Sequence, residues 1–68
     1  MILLRHNNVD NYPSTWGKFQ KEPTQQELAD ILKDYWPDKA EALAKELAET
    51  GQVDVDNGSC DTFELETV

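Results

Sequence analysis

One cysteine, Cys60, stands in the 68 residues, so no internal disulfide can form and a cystine-stapled secreted scaffold is excluded. One histidine, His6, is equally solitary, and two single copies cannot supply the local ligand pairs of a zinc site. Long apolar runs are missing too. Met1-Ile2-Leu3-Leu4 is cut short by Arg5 and His6, too short for a signal core and far from a membrane span. These absences point to a reducing, cytoplasmic setting and no membrane. Glycine and proline number three each, too few for a linker or low-complexity region, and there is no internal repeat. The chain reads as one domain over residues 1–68.

The absence with most chemical content is that of basic residues in the C-terminal part. After Lys45 there is no lysine or arginine, whereas Glu46, Glu49, Asp54, Asp56, Asp61, Glu64 and Glu66 all follow. The net charge is −8. Residues 1–21 hold Arg5, Lys18 and Lys21 against Asp10 alone, so the excess lies wholly in residues 22–68. Such a field repels phosphate backbones and draws basic surfaces. Solubility alone also explains acidic charge in small proteins.

What is present begins with Thr24-Gln25-Gln26-Glu27, a capping box in which the Thr24 hydroxyl and the Glu27 carboxylate satisfy each other's backbone amides. Leu28, Ile31, Leu32 and Tyr35 follow at helical spacing, and Pro37 stops that helix. Asp38, with Glu41 three residues on, is the expected cap of a second helix. Its apolar line is Ala40, Leu43, Ala44, Leu47 and Ala48. Gly51 falls where a left-handed C-terminal cap belongs.

The flanks read as strands. Residues 1–6 are one, Asn7–Thr15 is turn and loop, and Thr15–Gln20 is a weaker second strand. In the C-terminal part Val53 and Val55 alternate with Asp54 and Asp56, and Phe63 and Leu65 with Glu64 and Glu66, a hairpin about Asn57-Gly58. An apolar face on both arms requires an odd loop length, because a one-residue slip flips every side chain. A five-residue loop, Asn57 to Asp61, pairs Val55 with Phe63. A three-residue loop also works but places Asp61 on the apolar side, so five is the expectation.

The sum is an α+β domain, a helical hairpin packed on a short antiparallel sheet in the order β-(β)-α-α-β-β. Ile2, Leu4, Val53, Val55, Phe63 and Leu65 meet Leu28, Ile31, Leu32, Leu43 and Leu47 in its core, with Trp36 plugging one end. A chain this small buries only about 60% of its unfolded surface, and self-association into a homodimer is compatible with so small a core.

Chemical motifs fail one by one. Aligning Gly58 and Glu64 on a calcium loop puts Val53 and Val55 at ligand positions, with an exit into a strand rather than a helix. Lone His6 reads as polar surface at a strand end. Scattered carboxylates on solvent faces do not make the paired environments of a hydrolase, so no catalytic, cofactor or metal residue is assigned and the chain is not read as an enzyme. Two helices and a hairpin have the order of a winged helix-turn-helix. The second helix, however, shows Asp38, Glu41, Glu46 and Glu49 against Lys39 and Lys45, and the wing has five acids and no base. Counter-charge opposes direct nucleic-acid binding through that face.

Two functions from different classes remain. In size, acidity and lack of motifs the chain resembles, as a class, the small inhibitors encoded by phages and mobile elements, anti-restriction and anti-CRISPR proteins among them, some of which mimic nucleic-acid charge. That resemblance implies a protein partner with a basic, nucleic-acid-binding surface, met by Glu46, Glu49, Asp54, Asp56, Glu64 and Glu66. The alternative is a small nucleic-acid-associated regulator using the aromatic and basic segment Tyr12, Trp16, Lys18, Phe19 and Lys21, of the sort that stacks bases, or a structural, self-associating domain.

Overall fold

The computed structural model describes residues 1–8, 11–55 and 61–68. Asp56, the expected turn at Asn57-Gly58 and Cys60 lie outside them. Six elements follow in order: β1 (Ile2–Asn8), β2 (Asn11–Phe19), α1 (Gln25–Leu32), α2 (Ala40–Thr50), β3 (Gln52–Asp54) and β4 (Thr62–Thr67). The strands form one antiparallel sheet in the order β2-β1-β4-β3. The fold is α+β, as the residue pattern predicts.

Local chemistry explains the helices. Thr24 and Glu27 form the capping box: the Glu27 amide donates to Thr24 Oγ1 (3.1 Å) and the Thr24 amide to Glu27 Oε1 (3.0 Å). The exit of α2 is Gly51 at φ 84°, whose amide reaches the Leu47 carbonyl, a left-handed position that a Cβ would strain. The entry to α2 differs from expectation. Its N-cap is Lys39, and no side chain caps it. The Trp36 carbonyl instead accepts from the amides of Lys39 (3.0 Å) and Ala40 (2.8 Å), so a backbone turn through Pro37-Asp38 meets donors that Asp38 was expected to satisfy. Tyr35 departs too. The helix ends at Leu32 and the Tyr35 amide closes a tighter bond to the Leu32 carbonyl (3.1 Å). This rotates Tyr35 off the apolar line and leaves it 64% exposed. Ala48 is likewise exposed.

β2 is longer than the sequence pattern implies, because Pro13 reads as a loop residue. It runs along a sheet edge, where the missing proline donor costs no ladder bond. Its register against β1 shifts between Leu4 and Arg5: Leu4 faces Gly17, whereas Arg5 faces Thr15. Trp16 is the residue skipped, a bulge that re-aims its side chain. Strict alternation back from Gly17 would send the indole to the helix-free face. With the bulge it reaches Phe63 and Trp36 on the helix side. Gly17 itself allows close approach of α1, since a Cβ there would stand 2.9 Å from Ile31 Cδ1.

Leu4, Leu28, Leu32, Leu47 and Phe63 are fully buried, joined by Ala29, Ala40, Leu43, Ala44, Val53 and Val55. Ile31, Leu65, Trp16, Phe19 and Trp36 pack around them. Most of the expected core is buried, with Ile2, Ile31 and Leu65 half-buried, and Trp16 and Phe19 join it beyond expectation. Each large aliphatic or aromatic side chain buried here contributes roughly 1.5–3 kcal/mol. Both helices cover one face of the sheet. The other face carries Leu3, Arg5 and Asn7 of β1 beside Glu66, Glu64 and Thr62 of β4.

The C-terminal pairing corrects the hairpin expectation by two residues. Val53 faces Phe63 and Asp54 faces Thr62, and the Val55 amide donates to the Asp61 carbonyl (2.9 Å). This is the register that a three-residue loop implies. It puts Asp61 on the apolar side, 7% exposed.

Candidate functional site

Alternation along β3 and β4 sorts the acidic residues. Val53, Val55 and Phe63 are buried while Asp54, Glu64 and Glu66 are exposed, because successive side chains leave a strand on opposite faces. Gln52 pairs with Glu64 and Asp54 with Thr62, which sets Asp54 diagonal to Glu64 on the face without helices. α2 then adds one more carboxylate. Thr50 Oγ1 bonds both the Glu46 carbonyl (2.9 Å) and the Gln52 carbonyl (2.8 Å), tying the last helical turn to β3. A shallow groove results, lined by Glu46, Thr50, Gln52, Val53 and Asp54. β3 is an edge strand, so this acidic groove runs along an open sheet edge.

Not every expected acid contributes equally. Glu66 lies 3.5 Å from Arg5 Nε, and Arg5 faces Glu64 in the β1–β4 register. One guanidinium thus offsets part of the charge on β4, leaving Glu46 and Asp54 at the centre of the acidic edge. Glu49 is exposed on α2 but does not line the groove, and Asp56 lies outside the described residues. The alternative segment is divided by the sheet. Trp16 and Phe19 pack against the core, Tyr12 is 93% exposed, and Lys18 and Lys21 are exposed. Lys18 faces Leu3 in the register and Phe19 faces Ile2, so these neighbours leave β2 on opposite faces.

A polar cluster escapes sequence inspection. His6 is not free surface: its Nε2 lies 2.9 Å from Asp61 Oδ1, and both side chains are almost buried. Asn8 Nδ2 donates to the same oxygen (2.6 Å). The imidazole sits 4.7 Å from the Trp16 ring and 4.8 Å from Phe63. The even-numbered residues of β1 face the helices, so His6 follows Leu4 into the core side. Burying a carboxylate is costly without hydrogen bonds, and β1 supplies them. The signal in the sequence was parity alone: His6 and Leu4 are two apart. Among the described residues no three His, Cys, Asp or Glu side chains are grouped to hold a metal ion.

On α1, Asp30 accepts from Gln26 Nε2 (2.9 Å) and lies 3.4 Å from Lys33 Nζ. The Gln26 bond first, then the Lys33 bond and charge, hold its carboxyl below the ordinary aspartate value. A lowered folded value means that these contacts favour the fold above the unfolded pKa and are lost as pH falls through the folded one. Gln26→Ala is therefore expected to move the Asp30 midpoint upward in a carboxyl NMR titration. An unmoved midpoint would remove Gln26 as the leading cause.

No protein-family model matches the chain, and the comparisons found no curated protein and no solved structure similar to it.

Proposed function

We propose that this protein is a non-enzymatic interaction module that occupies a basic, nucleic-acid-binding surface of a cytoplasmic protein partner, as inhibitor or modulator. It would act in the manner of the small phage-encoded anti-restriction and anti-CRISPR proteins. The observation that carries the reading is the open β3 edge, where Glu46 and Asp54 line one groove and Glu64 and Glu66 stand exposed on the adjoining strand. Arg5 offsets part of the charge on β4, but no lysine or arginine follows Lys45 in the sequence. Like charges gathered this way repel one another and weaken the fold slightly, a cost that recognition of a basic groove offsets. An extended edge also offers backbone donors and acceptors to a partner segment.

Replacing Glu46, Glu64 and Glu66 by glutamine and Asp54 by asparagine should leave thermal unfolding nearly unchanged, because all four are exposed. In parallel pull-downs from host lysate, the parent chain should retain a basic protein that the neutralised variant loses. Retention by both chains alike would assign the charge to solubility. A gel shift of single- or double-stranded nucleic acid by the protein itself would favour the segment Tyr12, Trp16, Lys18, Phe19 and Lys21 instead.

A further inference from the structure

We propose that the groove between β2 and α1, where the Trp16 and Tyr35 rings meet beside Asp30 and Asp34, binds an arginine side chain presented by a partner protein. The groove is lined by Thr15, Trp16, Asp30, Ile31, Asp34 and Tyr35 and lies apart from the acidic β3 edge, sharing no residue with it.

Three features select the ligand. The first is an aromatic pair that is already organised, with Tyr35 exposed and Trp16 half-buried. The Trp16 and Tyr35 rings are 4.6 Å apart and tilted by 45°, and Tyr35 is 64% exposed. Trp16 is held from behind by an edge contact with Phe63 (4.9 Å) and a stacked one with Trp36 (6.0 Å). Its Nε1 donates to Ser14 Oγ (3.1 Å). Rings fixed in this way lose little freedom on meeting a ligand, and their faces attract cations.

The second feature is the charge at the rim. Asp34 is exposed and makes no ion pair with any described residue. Asp30, one helical turn earlier, is partly answered by Lys33, so Asp34 is the principal acceptor. Two carboxylates repel phosphate, which argues against a stacked nucleotide.

The third feature is shape. A guanidinium is planar and weakly hydrated, stacks on an aromatic face and still directs N–H donors sideways to a carboxylate, which a lysine ammonium does not match. Ile31, half-buried at the groove, offers an apolar wall to the methylene stem.

The test is a two-dimensional NMR titration of the full chain at low salt. The probes are two blocked tripeptides, Gly-Arg-Gly and Gly-Lys-Gly, acetylated and amidated. The arginine peptide should shift the Trp16 indole N–H and the Asp34 and Tyr35 amides saturably, with the lysine peptide several-fold weaker. Tyr35→Ala and Asp34→Asn, both at exposed positions, should each weaken binding by about two- to fivefold, the range of an exposed cation–π or ionic contact. The neutralised β3-edge variant should bind the peptide as the parent does, so failure here is distinct from failure of the acidic-edge reading. Unmoved Trp16 and Tyr35 signals, equal binding of the lysine peptide, or full binding by both groove variants would overturn the proposal.

Discussion

Phe63→Ala is expected to destabilise the domain by about 3–5 kcal/mol, the usual cost of deleting a fully buried aromatic ring. Phe63 is 1% exposed and occupies the crossing point of the structure. It faces Val53 on one side of β4 and His6 on the other, and its ring meets Trp16, Trp36 and His6 within 6 Å. A domain of this length has roughly 3–10 kcal/mol in all, so the variant should be unfolded or nearly so at 37 °C. Phe63→Leu keeps most of the volume and should remain folded with a lowered midpoint. Denaturant unfolding of the three chains decides the matter: an alanine variant within 1 kcal/mol of the parent, about the error of the comparison, would mean that Phe63 is not the keystone.

Asp61→Ala should cost about 2–4 kcal/mol, more than its small side chain would suggest. It removes hydrogen bonds to a charged acceptor, each worth roughly 1.5–3 kcal/mol, and leaves the His6 and Asn8 donors in a nearly dry site. His6→Ala should be costly for the converse reason, a buried carboxylate losing a partner. The pair is best read through a double-mutant cycle, with an expected coupling of 0.5–3 kcal/mol between His6 and Asp61. Additive losses would show that the 2.9 Å contact contributes nothing of its own. The same cluster pins the hairpin register, so Asp61→Ala is also expected to weaken amide protection at Val55, whose N–H bonds the Asp61 carbonyl.

That cluster marks where sequence reasoning stops. Capping residues announce themselves locally, and Thr24, Glu27 and Gly51 behave as their chemistry requires. The alternation of Val53, Val55, Phe63 and Leu65 also reveals two strands and forces an odd loop. It does not choose between pairing Val53 with Phe63 and pairing it with Leu65. That choice turns on whether Asp61 is tolerable inside, and the answer lies in His6 and Asn8, more than fifty residues away in the chain. β2 was obscured differently. Asn11 and Pro13 carry turn chemistry, and only a place at the sheet edge makes Pro13 acceptable in a strand. A bulge at Trp16 leaves no period-two trace either. Tyr35 belonged to a helical pattern that continues on paper beyond the point where α1 unwinds.

The candidate surfaces divide in the same way. Asp54, Glu64 and Glu66 fall on one face because alternation demands it, and this was legible. The approach of Glu46 to Asp54 depends on α2 folding back along β3, which spacing within either element does not encode. Glu49 is exposed on the same helix but does not line that groove. Trp16 and Tyr35 are nineteen residues apart and meet only through tertiary packing. No count of aromatic and basic residues along β2 would join them.

The central claim is that the acidic edge docks on a basic surface, and the dependence of association rate on salt tests it most directly. Exposed charges are screened over about 8–10 Å at physiological ionic strength, and long-range steering acts mainly on the rate of encounter. For the partner retained in the pull-down, the rate constant measured by stopped flow should fall by tenfold or more as salt is raised from about 0.01 to 0.5 M. In the variant carrying Glu46→Gln, Asp54→Asn, Glu64→Gln and Glu66→Gln, the rate should be low already and nearly flat. Equal rates for both chains at low salt, with the same shallow salt dependence, would contradict the claim.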